Sequence, residues 1–167
     1  MKWKTFPDKS LVNTLMNIEC EGKAIDVGCA SGADALYLAD SGFDKVFAVD
    51  KDTSQVLDEV NHHSNIEVIK DEYENIIQDN KYNFIVSRFS AFRIGQVELL
   101  INALKDNGHL FLKVLDDKIS KYDLEKMISK YEYSLKTYES KDNHPPLGEH
   151  THNILFVLLC KKEKIKG

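Results

Sequence analysis

One short stretch near the N-terminus constrains the fold more than any other part of the sequence. Residues 24–50 read as an apolar strand, a turn with Gly28 and Gly32, a helix, and a second strand that ends at Asp50. Glycine accepts a positive φ and lets the backbone approach a ligand closely, and a helix that begins at such a turn directs free N–H groups toward it. The stretch therefore predicts a βαβ unit with a nucleotide-binding turn.

The rest of the chain continues the alternation of strand and helix. Periodicity predicts strands over 23–28, 44–49, 65–70, 82–87, 108–115, 132–139 and 153–161. It predicts helices over 8–18, 32–41, 52–60, 95–105 and 121–130, and a short irregular piece near 72–78. We expect Asp52 and Thr53 to cap the third helix, and Gly42 and Gly108 mark turns after two others. Right-handed crossovers then give a parallel sheet with helices on both faces.

The end of the chain breaks this alternation. The last two predicted strands are joined by a loop with Pro145 and Pro146 that leaves no room for a helix, so they are expected to pair as an antiparallel hairpin. We therefore predict an α/β fold with a seven-stranded, mostly parallel sheet, helices on both faces and a final antiparallel strand. A chain of 167 residues suits a single domain over 1–167.

Composition narrows the classes of function. A net charge of −5 gives no basic footprint, so we expect no nucleic-acid partner. The three cysteines have no paired spacing, which indicates neither a disulfide framework nor a cysteine zinc site and fits a reducing cytoplasm. No apolar run has the length of a signal peptide or a membrane span. We expect a soluble, cytoplasmic protein with no membrane partner.

The glycine turn departs from two common nucleotide-binding patterns. A nicotinamide fingerprint needs G-x-G-x-x-G, whereas Ala30 stands at the second glycine. A phosphate loop needs Gly-Lys-Ser or Gly-Lys-Thr, whereas Ala33 and Asp34 follow Gly32. Asp50 lies roughly 20 residues beyond the turn, where an acidic side chain accepts both ribose hydroxyls. The sequence thus disfavours NAD and nucleoside triphosphates but keeps a ribose-containing cofactor.

The segment DVGCASG resembles motif I of the class I S-adenosylmethionine (SAM) methyltransferases, and the layout of nearly the whole chain is similar to theirs. The resemblance implies SAM as the cofactor, with its methionine carboxylate received by N–H groups at the start of the helix. The implied cofactor-binding residues are Asp26, Gly28, Cys29, Gly32, Asp50, Lys51, Asp71 and Ser87.

The resemblance also implies a role for each of these residues. Asp26 would hold the methionine amino group, directly or through water, inside the turn formed by residues 28–32. Asp50 would bind the ribose and Lys51 would flank the adenosine. Asp71 would receive the adenine amino group. The backbone carbonyl of Ser87 would face the methionine amine.

Two further segments, GADALYLADSGFDKVFAVDKD and GEHTHNILFVLLCKK, resemble the tellurite-resistance methyltransferases within this class. Members of that group usually carry Gly at position 30 and Arg-Asn at positions 33 and 34. This chain has Ala30, Ala33 and Asp34 instead.

A cluster of titratable residues surrounds the two prolines near the end of the chain. It consists of His144, Glu149, His150 and His152. Because the sixth predicted strand runs parallel to the first, the loop after it should open at the carboxyl edge of the sheet, where ligands bind. Imidazoles there can accept a proton from a methyl acceptor, ligate a metal, or hold an anionic or metalloid substrate. These four are the candidate catalytic residues, and the alternative is a solvated polar loop shaped by its prolines.

We assign no metal to this cluster, because three possible ligands on a hairpin leave the geometry unproved and no H-E-x-x-H helix is present. Tyr73 and Arg88 follow the third and fourth strands at the same edge and are candidate substrate-binding residues, an aromatic wall and a contact for an anionic group.

The predicted function is SAM-dependent methyl transfer to a small-molecule acceptor by in-line displacement. Two alternatives remain open. One is a catalytically silent module that binds SAM or a partner, in which the residues at positions 30, 33 and 34 mark lost chemistry. The other is a methyltransferase that acts on a protein partner.

Overall fold

The computed structural model describes the backbone of residues 6–144 and 148–164, and the side chains of these residues except 141–150. In chain order the elements are α1 (Lys9–Leu15), β1 (Lys23–Val27), α2 (Ala33–Asp40), β2 (Lys45–Asp50), α3 (Asp58–Asn61), β3 (Ile66–Lys70), α4 (Tyr73–Ile76), β4 (Tyr82–Arg88), α5 (Ile94–Ala103), β5 (Leu104–Leu115), α6 (Lys121–Ile128), β6 (Tyr131–His144) and β7 (Gly148–Glu163).

The strands form one seven-stranded sheet in the order β3-β2-β1-β4-β5-β7-β6. The pairs from β3 to β5 are parallel, whereas β7 runs antiparallel to both β5 and β6. The predicted fold class and the final hairpin are therefore confirmed. The order reverses between β1 and β4, and in open α/β sheets such a switch point leaves a crevice at the carboxyl ends of the strands.

Helices cover the two faces of the sheet because neighbouring residues of a strand point to opposite sides. Ile25 and Val27 pack with α4, α5 and α6, whereas Ala24 packs with α1, α2 and α3. Almost every apolar residue of β1 and β4 is fully buried. Both central strands thus read as nearly continuous apolar runs, as expected for a parallel sheet covered on both sides.

The helix predicted over 52–60 is wrong for most of its length, since α3 is a single turn over Asp58–Asn61. The carboxylate of Asp52 accepts a hydrogen bond from Ser54 N at 2.9 Å, a local turn that competes with helix formation. Leu57 is extended and donates its N–H to the Ser31 carbonyl at 2.9 Å. Neither Asp52 nor Thr53 caps the helix, because the segment 52–57 crosses the glycine turn instead.

Other boundaries differ by smaller amounts. The first helix was predicted over 8–18, but it begins after Asp8, whose carboxylate accepts from the amides of Ser10 and Leu11, and it ends at Leu15. Gly42 follows α2 with φ 122°, as predicted for a turn. Gly108 instead lies within β5, in a bulge where a Cβ would meet the Lys105 carbonyl oxygen at 2.9 Å.

The last two strands are longer than predicted, 131–144 and 148–163 instead of 132–139 and 153–161. In the described part of the chain, none of the helices has the length and apolar character needed to cross a membrane.

Candidate cofactor-binding site

The glycine turn is fixed to the second strand through its backbone. The amides of Gly28 and Cys29 both donate to the Val49 carbonyl, at 2.8 and 2.9 Å. Gly28 and Gly32 have φ values of 74° and 81°, in the left-handed region that glycine tolerates. A Cβ on Gly28 would lie 2.8 Å from Ser90 Cβ, so this position also needs glycine for space.

Ala30 adopts the same left-handed region, with φ 50°. The residue that departs from the pattern of the tellurite-resistance methyltransferases therefore keeps the backbone shape for which glycine is suited. An L-residue in this region costs about 1–2 kcal/mol. The Ala30 amide is held by Asp50, whose Oδ2 accepts it at 2.9 Å.

Asp50 thus connects the two halves of the βαβ unit. While Oδ2 accepts the Ala30 amide, Oδ1 accepts the Asp52 amide at 3.1 Å. The residue is half-buried and lines the cleft described below. A carboxylate has about four acceptor positions, so Asp50 keeps acceptor capacity for a ligand after making both contacts.

Asp26 is a buried carboxyl group with an unused oxygen. Only 3% of the residue is exposed, and Oδ2 has no hydrogen-bond partner among the residues that the structure describes. Burial raises the pKa of Asp26 well above its ordinary value; the charges of Asp34 and Asp50 raise it further, and Arg88 and an amide hydrogen bond from Ala35 act against this. Buried polar atoms usually have partners, so an unpaired oxygen here is a feature that needs a ligand or a water molecule.

Four charged side chains form a network beside Asp26. Arg88 donates through Nε to Asp34 Oδ2 at 2.6 Å, and its Nη1 lies 3.3 Å from Asp8 Oδ2. Lys113, which is 95% buried, donates to the same Asp8 oxygen at 2.7 Å. Although burial acts to raise the pKa of Asp8, the hydrogen bond and charge of Lys113 and the charge of Arg88 hold it below its ordinary value. The network ties the start of α1 to β4 and β5.

The loop after β4 is held by side chains that lie under it. Ser90 donates its hydroxyl to the Val27 carbonyl at 2.9 Å, so in its 2.7 Å contact with Ser87 the Ser87 hydroxyl is the donor. Tyr73 donates its hydroxyl to the Ser90 carbonyl at 3.2 Å. Gln96 accepts the Phe92 amide at 2.7 Å. Burial, with a smaller contribution from the charge of Glu74, raises the pKa of Tyr73, which therefore stays a hydrogen-bond donor.

A cleft of about 570 Å³ opens at the carboxyl ends of β1 to β4, within the size range of small-molecule sites. Six predicted site residues line it: Gly28, Asp50, Lys51, Asp71, Tyr73 and Arg88. Four others are absent from its lining: Asp26, Cys29, Gly32 and Ser87. A second hollow of about 640 Å³ lies between α5, α6 and β6, and none of the predicted site residues lines it.

The start of α2 is covered. Ala33 and Asp34 are buried, and neither lines the cleft. Gly32 packs against Val60, and a Cβ at this glycine would lie 2.9 Å from Val60 Cγ1. The Ala35 amide is already hydrogen-bonded to Asp26. The first turn of this helix therefore has little backbone to offer to a ligand in the cleft.

Asp71 lines the cleft directly after β3. Its Oδ1 accepts from the Glu72 amide at 2.7 Å and from Asn75 Nδ2 at 2.9 Å, and its own amide donates to the Asp50 carbonyl at 3.0 Å. The carboxylate is thereby oriented by the first turn of α4 while its second oxygen remains for a further contact. Lys51 is exposed at the same rim.

The candidate catalytic cluster lies on the hairpin of β6 and β7. Leu115 at the end of β5 pairs with Ile154, and the next amide, Asp116, donates to the Asn153 carbonyl at 3.0 Å. Residues 148–152 pair with β6 alone among the described strands, so the hairpin extends about 17 Å past this point. β6 is parallel to β1 and three strands from β4, an offset of about 14 Å. The hairpin therefore opens at the predicted edge.

The side chains of His144, Glu149 and His150 lie outside the described part of the structure, and so do Pro145 and Pro146. His152 is half-buried and pairs with Ser140 through the backbone. The catalytic role of these four residues stays a prediction.

Periodicity did not single out Asp8, Ser90, Gln96 and Lys113 as site residues. The Lys113–Asp8 contact spans 105 positions and the Ser90–Val27 contact spans 63, whereas Gln96 accepts from Phe92 only four positions earlier. A charged residue inside the apolar run LFLKVL was the one visible signal, because an unpaired lysine in a buried strand is rare.

A family model described as tellurite resistance protein TehB matches residues 1–109. No curated protein matches the chain in sequence.

Three solved structures resemble the fold of this chain. The YcgJ protein from Bacillus subtilis has a TM-score of 0.71 at 13% identity, over 93% of this chain and 99% of that one. A Listeria monocytogenes protein described as an S-adenosylmethionine dependent methyltransferase has a TM-score of 0.61 at 14% identity, over 91% and 98%. P. horikoshii TYW2 in complex with MeSAdo has a TM-score of 0.59 at 15% identity, over 92% and 62%.

Proposed function

Since the chain belongs to the tellurite resistance protein TehB family and has the fold of the class I methyltransferases, we propose that it methylates a small-molecule acceptor at the carboxyl edge of its sheet. By family and fold the chain is a SAM-dependent methyltransferase. We propose the kind of acceptor and the role of each side chain.

The observation that carries this proposal is the unpartnered oxygen of Asp26, two residues before the turn. An ammonium group is the complement of a buried carboxyl oxygen, and the methionine end of SAM carries one. Asp50 retains acceptor positions for the ribose hydroxyls, and Asp71 retains an oxygen for the adenine amino group. Asp50 and Asp71 line the cleft and Asp26 is buried before its first turn, and these three acceptors support the binding of SAM along the strand ends.

SAM, when bound, supplies an electrophilic methyl group on a good leaving group. The protein then has to align the acceptor with that methyl group and exclude water, and a strong base is optional. Tyr73 and Ser90 line the cleft and are joined by a hydrogen bond, so they supply a wall for this purpose. We assign His144, Glu149, His150 and His152 to orienting the acceptor or removing its proton.

A small acceptor is supported by the size of the cleft, which at about 570 Å³ has to hold the cofactor as well. Phe89 and Phe92 lie on its rim and are 37% and 54% exposed. Exposed aromatic side chains at a cleft are suited to cover a compact substrate.

The test is methyl transfer from labelled SAM over a panel of small acceptors, tellurite included because the family description names it. We expect product from at least one acceptor, and its loss in Asp50→Ala with the fold intact by circular dichroism. No product, together with SAM binding equal in wild type and Asp50→Ala, would contradict both the activity and the cleft.

The silent-module alternative predicts a different result, namely tight binding of SAM and S-adenosylhomocysteine without turnover of any acceptor. Two of the departures on which it rests have structural uses in this chain. Ala30 is held by Asp50, and Asp34 pairs with Arg88. These residues therefore give no separate reason to expect lost chemistry.

A further inference from the structure

The guanidinium of Arg88 has donors to spare at the cleft. Nε and Nη1 are directed to Asp34 and Asp8, while Nη2 has no partner among the residues that the structure describes. The side chain is 34% exposed and lines the same cleft as Gly28 and Ala30. A guanidinium has five N–H donors in a fixed plane, so an edge of this one is available to a planar anion.

The charges around Arg88 are balanced without a ligand. Asp8 and Asp34 oppose Arg88 and Lys113, two negative charges against two positive ones. A bound group that brings both signs keeps this balance, whereas a lone anion or cation disturbs it. Asp26, with its unpartnered oxygen, lies on β1 opposite Val86 of β4, and Arg88 follows two residues later on the same strand. Because side chains alternate along a strand, Asp26 and Arg88 belong to the same face of the sheet. An acceptor oxygen and a donor edge on neighbouring strands complement an α-amino acid, whose ammonium and carboxylate share one carbon.

The sequence indicated another binding group for the methionine carboxylate of SAM, namely the amide groups at the start of α2. They are covered by Val60 and by the contact between Ala35 and Asp26. The cleft has two other described cations. Lys51 lies at the exposed side proposed for the adenosine, and Arg93 pairs with Glu74. Among the described residues of the cleft, Arg88 is the cation on the strand that neighbours Asp26: Asp26 pairs with Val86, two residues before Arg88.

We propose that Arg88 binds the α-carboxylate of the methionine moiety of SAM, while Asp26 takes the α-ammonium group. This inference rests on the proposed placement of SAM in the cleft. It assigns Arg88 to binding the cofactor, whereas the sequence indicated a contact with the methyl acceptor. The ion pairs of Arg88 with Asp8 and Asp34 hold the guanidinium in place before the ligand binds. Lys113 fixes Asp8 from the other side. The amino-acid end is then recognised by one side chain from β1 and one from β4.

The test uses a pair of ligands that differ only in that carboxylate, SAM and decarboxylated SAM, with 5′-methylthioadenosine to report on the adenosine half. Calorimetry should give the wild type a preference for SAM over decarboxylated SAM of about 10- to 100-fold, the range for a charged hydrogen bond. Arg88→Gln should reduce that preference to less than about 3-fold and leave the affinity for 5′-methylthioadenosine unchanged. Lys45→Gln, which removes an exposed cation paired with Glu67 at the opposite edge of the sheet, should keep the full preference.

Loss of Arg88 leaves Asp34 without its ion-pair partner, while Asp8 keeps Lys113, so Arg88→Lys serves as the second variant. It keeps the positive charge but loses the planar fork, and we expect an intermediate preference with a melting temperature close to that of the wild type. The inference is overturned if Arg88→Gln keeps the wild-type preference, or if it weakens all three ligands equally. Failure of all three ligands to bind the wild type would be a different result and would overturn the placement of SAM itself.

Discussion

At the scale of single residues, the site combines a strained backbone with a carboxyl group that is isolated from water. Ala30 holds a left-handed φ that its Cβ disfavours, and the Asp50 carboxylate fixes it there. Asp26 is kept apart from solvent a few residues earlier. Both features cost free energy in the folded protein, which is characteristic of residues held for function.

Replacing Ala30 with glycine should stabilise the protein. Glycine removes the strain at φ 50°, and the gain exceeds the entropy that glycine adds to the unfolded chain, so we expect about 1 kcal/mol more stability. Ala33→Gly is the control, because it places glycine inside the first turn of α2 and should cost about 0.5–1 kcal/mol. Urea denaturation measures both. Equal destabilisation by the two substitutions would contradict the strain at Ala30.

The raised pKa of Asp26 makes stability depend on pH. Because its folded-state pKa is raised, the folded protein binds more protons than the unfolded chain, whose Asp titrates near pH 3.9. Stability from this group is full in acid and is lost as pH rises from about 4 through the folded pKa, with a slope of up to about 1.4 kcal/mol per pH unit. The difference in unfolding free energy between wild type and Asp26→Asn should therefore fall with pH. A difference independent of pH would show that Asp26 titrates normally.

At the scale of secondary structure, the start of α1 depends on one carboxylate. Asp8 caps the helix through Oδ1 and receives Lys113 and Arg88 through Oδ2. A short helix of seven residues gains little from propensity alone, so this contact anchors it to the sheet. The N-terminal segment and the cleft therefore share a charge network.

Removing this carboxylate should cost much more than removing an ordinary cap. Asp8→Ala leaves the buried Lys113 without its partner, which typically costs about 3–5 kcal/mol. Ser120→Ala removes the cap of α6, where no ion pair is involved, and should cost about 1 kcal/mol. Chemical denaturation of both variants provides the comparison. Similar losses would mean that Lys113 finds another partner or water.

Element prediction succeeded where the pattern is apolar and failed where polar contacts decide. The seven strands and the hairpin follow from runs such as AIDV and LFVLL, whose burial is governed by composition. The segment 52–57 was misassigned because a carboxylate–amide turn at Asp52 and a distant bond from Leu57 to Ser31 override its helical spacing. Similarly, the glycine turn and the family resemblance indicated Gly28, Asp50, Lys51 and Asp71, and positions after strands indicated Tyr73 and Arg88. Ser90 and Gln96 contribute through hydrogen bonds that periodicity does not encode.

At the scale of the whole molecule, the described lining of the cleft and the hairpin of β6 and β7 belong to different strands. The cleft is built on β1 to β4, and the hairpin extends from the far end of the sheet with β7 inserted beside β5. The proposed reaction requires the two to meet over the cleft.

The hairpin prediction is a kinetic one. His150→Ala should lower kcat about 100-fold, the usual size of a general acid–base contribution, and change SAM affinity by less than about 2-fold. His62→Ala is the matched control, since that imidazole is exposed beside α3 and hydrogen-bonds to a local carbonyl. If alanine at positions 144, 150 and 152 leaves kcat unchanged, the hairpin is not catalytic.

Among the residues that the structure describes, the fifteen that line the cleft fall between positions 28 and 96. The hairpin begins at 131, so the part of the gene that encodes this lining and the part that encodes the hairpin do not overlap. Substitutions in the last forty or so codons therefore leave the described lining of the cleft unchanged. Under the proposed function, they change what is methylated and preserve the binding of the methyl donor. Directed evolution of the enzyme toward new acceptors would accordingly begin with a library confined to the hairpin.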